Sequence, residues 1–253
     1  MTNEFPSDDL DKRLTAMLTP AGDLRLAQHA EGTARLGAQT RVIQYYQRAV
    51  YKYLLALLRD TDKADDVFQD FALRFVRGDF KTWQADRGRF RDYLKTALRN
   101  LAMDRFRKEQ QGKVQPLVEG VEPPAADLPH AEAERVFEQS WSEVALHRAW
   151  EALRRHEQEH DQPVHTVLRC KAEQPTLRSH QVAEVLTGQL ARPITAAWVR
   201  KWLAVARDKF AELLLVEVEK SLPEPSLDEL EREVAELGLL EYCRKALEQR
   251  RPA

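Results

Sequence analysis

The chain has 253 residues, with 41 acidic against 39 basic side chains and a net charge of -2; that is room for one or two domains with cores of their own, and it excludes a global attraction to nucleic acid, so any such affinity has to come from local clusters. No apolar run approaches the ~20 residues of a membrane span, and the acidic, polar start MTNEFPSDDLDK is unlike a signal peptide. The two distant cysteines, Cys170 and Cys243, form neither a disulfide framework nor a zinc spacing, so the expectation is a cytoplasmic protein with no membrane partner and no cofactor.

Charge is segregated along the chain. Residues 81–113 hold ten bases and four acids, residues 119–161 eleven acids and four bases, residues 192–210 five bases and one acid, and residues 221–250 eight acids and four bases. Helical periodicity dominates, and strand-like alternation is almost absent, so the expected fold class is all-α. The first forty residues give weak helical signals, broken at Pro20, Gly22, Gly32 and Gly37. A helix is predicted from about Gln39 to Arg59, burying Tyr46, Val50, Tyr53, Leu54, Leu57 and Leu58. Asp60 or Thr61 caps a second helix that runs to Arg77 and stops before Gly78. A short connection containing Trp83 leads to a long helix, about Gly88 to Gln110.

Residues 111–130 carry four prolines and two glycines without a period, which reads as a linker between two helical domains. Beyond it, helices are expected at about Ala131–His160, Val164–Lys171, Ser179–Leu186 and Thr195–Lys220. Pro223 and Pro225 then separate an amphipathic helical tail in which Leu227, Leu230, Val234 and Leu237 recur at helical spacing. The expected division is 1–110, linker 111–130, 131–222 with a helix-turn-helix, and a C-terminal extension, 223–253.

Three surfaces stand out. In ADDVFQDFALRFV (64–76), a 100° step puts Val67, Phe68, Phe71 and Phe75 on one side and Asp66, Gln69 and Asp70 on the other. That compact acidic and amide patch suits a basic helical partner. The bland alternative is a solvated face; acid–base catalysis lacks a histidine, a ligand set or a pocket nearby. In DRGRFRDYLKTALRNLAMDRFRK (86–108), Phe90, Leu94, Ala97, Leu98 and Leu101 form an apolar stripe. Arg91, Lys95 and Arg99 step beside it every four residues, as phosphate-binding cations do. Asn100, Asp104, Arg105 and Arg107 occupy the remaining faces. Trp83, Phe90 and Tyr93 add rings on which unpaired bases can stack, unless they are core.

The third surface lies in SHQVAEVLTGQLARPITAAWVRKWLAVARDKF (179–210), a short helix, a turn and a longer helix. Val182, Ala183 and Leu186 face inward, as do Val199, Leu203, Ala206 and Phe210. Thr195 caps or begins the second helix, and Arg200, Ala204 and Arg207 point outward with Lys201 and Trp202 flanking, the arginines being suited to guanine edges or phosphates in a major groove. The turn exceeds a tight helix-turn-helix turn by a few residues. His147, His156, His160 and His165 cluster without completing a metal set, and no phosphate-cradling glycine loop or nucleophile elbow occurs. The chain is not expected to be an enzyme.

On these residues the chain resembles bacterial RNA polymerase sigma factors of the extracytoplasmic-function type, from about Gln39 to Lys220. By that resemblance, ADDVFQDFALRFV grips core RNA polymerase, with Asp66, Gln69 and Asp70 on the clamp helices of its large subunit. The following segment implies melting and −10 recognition, with Arg99, Asn100, Asp104 and Arg105 on the run RNLAMDRFR. QVAEVLT and ITAAWVRKWLAVARDKF stand where the family's −35 helices stand, although Trp202, Ala204 and Val205 replace more polar residues. Promoter DNA and core polymerase are the implied partners, with an anti-sigma or other regulatory protein as a further one. The alternatives are a DNA-binding transcriptional regulator that works without polymerase and a protein-binding helical adaptor.

Overall fold

The computed structural model describes Ala27 and residues 32–78, 89–112, 130–222 and 225–251. Everything regular among them is helical. The helices are α1 (Gly32–Leu58), α2 (Thr61–Arg77), α3 (Phe90–Gly112), α4 (His130–His160), α5 (Val164–Glu173), α6 (Ser179–Leu190), α7 (Ala196–Glu219), α8 (Leu227–Glu236) and α9 (Leu240–Arg250). The chain divides into two compact units, residues 1–144 with 220–223 and residues 145–219 with 224–253.

In the first unit, α1 packs on α2 and α3. It starts earlier than its apolar period predicts, running through Gly37, because Ala38 and Gln39 are already buried. The Gln39 amide Nε2 donates to the Phe75 carbonyl at 3.0 Å and ties the start of α1 to the end of α2. Such anchoring outweighs the ~1 kcal/mol that a helical glycine costs. Asp60 is the N-cap of α2, its carboxylate accepting from Lys63 N at 3.1 Å. Gly78 ends the helix in the left-handed conformation, φ 84°, its N–H returning to Arg74 O and Phe75 O.

The front half of α4 belongs to this unit. Its Ala133, Phe137, Ser140 and Trp141 are buried. Trp141 stacks on Tyr46 with centroids 4.1 Å apart, and Phe137 meets Tyr53 edge-on at 5.4 Å. Its acids meet cations of α1, of the residue just past it and of α3: Lys52 Nζ donates to Glu143 at 2.8 Å, Arg59 to Glu132 at 2.7 Å, and Lys95 Nζ lies 3.7 Å from Glu138. Burial pushes the Tyr53 hydroxyl up to about 12, with the nearby Glu134 carboxylate adding to the rise and Arg99 opposing it.

In the second unit, Val167 and Cys170 of α5, Val182, Ala183 and Leu186 of α6, and Val199 and Leu203 of α7 form one apolar cluster. Lys171 Nζ donates to the Pro175 and Leu177 carbonyls at 2.7 and 2.6 Å, fixing the connection into α6. Trp150 lies against Phe210 (4.9 Å) and edge-on to His165 (5.8 Å), whose imidazole is held below its usual pKa by burial. The C-terminal extension is a helical hairpin, α8–α9, packed on α7. Ser226 and Glu229 cap α8 reciprocally. Gly238, φ 69°, turns the chain into α9.

Candidate partner and nucleic-acid interfaces

On α2 the amphipathic division is the one the period demands. Ala64, Val67, Phe71 and Phe75 are buried, Phe68 is half-buried, Asp66 and Gln69 are exposed and Asp70 is half-buried. At 100° per residue, Asp66, Gln69, Asp70 and Leu73 span one arc, and Leu73 stands near its centre with 48% of its surface exposed. Sequence periodicity could have singled out Leu73, the apolar member of a polar row. Leu73 is thus a single apolar side chain framed by acid and amide.

Both carboxylates of this arc are engaged within the unit. Asp70 takes the Arg74 guanidinium at 2.9 Å, and Asp66 accepts from Arg105 of α3 at 2.7 Å. The expected acidic and basic faces therefore touch at Asp66–Arg105. Exposed pairs like these contribute only about 0–1 kcal/mol, so a partner with its own charges displaces them at little cost.

The expected row Arg91, Lys95, Arg99 does not lie on one exposed face. Arg91 is buried, 2% exposed, Lys95 is half-buried, and Arg99 is exposed. Steps of four residues advance 400°, so each member of such a row turns 40° further round the helix. Arg91 falls inside the arc buried by Phe90, Leu94, Leu98, Leu101 and Ala102, Lys95 at its edge, and only Arg99 clears it. Arg91 thus belongs to the interior and not to a phosphate-facing surface. Lys95 is shared by Asp92 at 3.5 Å and Glu138 at 3.7 Å. The exposed run comprises Arg99, Asn100, Asp104, Arg105, Arg107 and Lys108. Phe90 is core, 5.5 Å from the Tyr46 ring, and Tyr93 is half-buried. Trp83 lies outside the described residues.

In the second unit, α6 runs four residues beyond its expected end at Leu186, and the turn is Ala191–Thr195. Ile194 N donates to the Thr187 hydroxyl at 3.0 Å across this turn. Thr195 is exposed and its hydroxyl accepts from Trp198 N at 3.2 Å, capping α7. Arg200, Lys201 and Arg207 are all exposed. Sequence reasoning passed over Trp198 and Arg192. The rings of Trp198 and Trp202, 6.1 Å apart, pack on the apolar cluster. Arg192 covers the first at 5.4 Å, and Lys201 the second at 5.8 Å. The signal was a Trp pair four residues apart beside cations.

Residues 42–112 match the family model of sigma-70 region 2. That segment takes in most of α1 and all of α2 and α3, and over it the chain is similar to sigma factors of the sigma-70 superfamily, which supports a general role in transcription. No curated protein and no solved structure matches the chain. Among the described residues, no group of three or more His, Cys, Asp or Glu is placed to hold a metal ion, and no helix is long and apolar enough to cross a membrane.

Proposed function

We propose that the chain is a transcription initiation factor of the sigma type, which binds core RNA polymerase, directs it to promoters through −10 and −35 elements and helps to open the DNA. The observation that carries this reading is the coincidence of the region 2 match, residues 42–112, with two abutting exposed faces that divide the work. Asp66, Gln69 and Asp70, with Leu73 among them, receive the polymerase. A basic helix of the polymerase competes with Arg105 for Asp66 and finds an apolar seat on Leu73.

Arg99, Asn100, Asp104 and Arg105, with Lys95 at their edge, meet the −10 strand. Melting is then a binding effect: opened bases captured on the protein gain about 1–3 kcal/mol each by stacking and offset the lost duplex stacking. Trp83 is proposed among the rings from its place in the sequence. Thr195, Arg200, Lys201 and Arg207 of the proposed helix-turn-helix hold the −35 duplex, and residues 111–130 serve as the linker between domains. A cytoplasmic location follows from these partners. The chain acts by positioning and catalyses nothing.

The test is retention of core RNA polymerase by the immobilised full chain, followed by run-off transcription from genomic promoter fragments. The reading expects capture and promoter-dependent transcripts, with capture reduced by more than about tenfold when Asp66 and Asp70 are both changed to Ala, because buried charge pairs at interfaces are costly to truncate. Absence of capture by the unaltered chain would sink the proposal.

A further inference from the structure

The outward face of α7 has an unusual chemistry for a helix proposed to enter a DNA groove. Val199, Leu203 and Ala206 are buried. The opposite arc, at 100° per residue, holds Ala197, Lys201, Ala204 and Val205, all exposed, with Val205 at 38%. Only Lys201 in that arc can donate a hydrogen bond, and its ammonium lies over the Trp202 ring, drawn to the flank. Between Ala197 and Val205 the arc has no Arg to grip guanine and no Asn or Gln to grip adenine, and Asp208, which follows on the same arc, is taken by Lys245. What remains is methyl and methylene surface, whose complement in the major groove is the C5-methyl of thymine.

The surroundings point to a polyanion as the occupant. From Arg192 to Arg207 the sequence holds no acid. Among the described residues no carboxylate pairs with Arg192, Arg200, Lys201 or Arg207. The first acid beyond, Asp208, is neutralised by Lys245 of α9 at 2.5 Å, so the C-terminal extension removes the negative charge from this end of the face. The two alanines let the helix backbone sit deep in a groove, while the cations stand at the sides, where phosphates run.

Resting on the duplex-binding part of the proposed function, we infer that α7 selects its DNA by apolar contact with thymine methyl groups, and that its cations supply affinity without sequence choice. The family resemblance says nothing of this; the selectivity follows from Ala197, Ala204 and Val205.

The experiment is a selection of short random duplexes by the full chain at moderate salt, run in parallel with thymine pools and with pools containing deoxyuridine, which lacks only the methyl. The inference expects a thymine-containing motif in the first pool. Affinity for that motif should fall about fourfold for each contacted methyl removed, the worth of one buried carbon. The exposed Ala204→Gln change should shift preference toward adenine while leaving the thermal transition in place. A selected motif that binds its uracil version equally well, or one built on guanine, overturns the inference and leaves duplex binding intact. Failure of both pools to bind in a salt-sensitive way overturns the duplex reading itself, and this inference with it.

Discussion

The faces of α2 and α3 and the outward face of α7 solve the problem of exposed charge in opposite ways. In the first unit, cations and carboxylates neutralise one another: Arg105 with Asp66, Arg74 with Asp70, Lys95 with Asp92 and Glu138. At α7, Arg192 of the preceding turn and Lys201 of the helix lie over tryptophan rings. The difference teaches what each surface trades when a partner arrives. The first exchanges one ion pair for another, a nearly balanced swap that depends on the partner's own charges. The second has no ion pair of Arg192 or Lys201 to give up, and its rings hold these cations in place beforehand, which lowers the ordering cost of binding.

Three substitutions would break or sharpen that contrast. The largest effect is expected from Phe137→Ala. Phe137 is fully buried in the first unit beside Tyr53 and Trp141, so its loss should cost about 3–5 kcal/mol in denaturant unfolding. A cost under about 1 kcal/mol would mean that the front half of α4, with its carboxylates, is no fixed part of the charged surface. Next comes nucleic-acid binding by the first face. Arg99→Ala should lower the salt dependence of single-strand binding by about one phosphate contact. If that slope were unchanged, the exposed run on α3 would be a solvated face and the contrast with α7 would lose one of its sides. The smallest effect concerns the turn before α7. Ala191 adopts φ 50° there, a conformation that glycine accepts and alanine resists. Ala191→Gly should raise the melting midpoint by the equivalent of about 1 kcal/mol or less, and a drop would show that the turn gains more from the methyl than it loses to strain.

How far these features could be read from the residues depended on how local their causes are. The start and stop of α2 were legible because Asp60 and Gly78 act on their own turns. Its buried side was legible because Val67, Phe71 and Phe75 repeat at helical spacing. Arg91 misled because a four-residue row looks straight in sequence and winds on a real helix. The early start of α1 depends on Gln39 reaching Phe75, 36 residues away, and the docking of α4 on Tyr46 and Tyr53 depends on partners more distant still. Periodicity carries no trace of either. The end of α6 was placed early because Thr187 and Gly188 look like turn residues, whereas in the fold Thr187 serves the turn from inside the helix by accepting from Ile194. The capping of Trp198 and Trp202 by cations was half visible, in composition but not in geometry.

The hairpin at the carboxyl end has a bearing on how any shortened version of the protein should be interpreted. Leu214, Leu215 and Val218 of α7 are buried, as are Leu230, Val234, Cys243 and Leu247 of the hairpin packed on that helix, and Lys245 and Arg250 clasp Asp208 and Glu219 from outside. Burial raises the Cys243 thiol to about 11, the mark of a dry interior position. Trimming the last thirty or so residues would strip the wall from a hydrophobic chamber as well as deleting an acidic appendage, so insolubility after such trimming would speak of a torn interior before it spoke of a lost regulator.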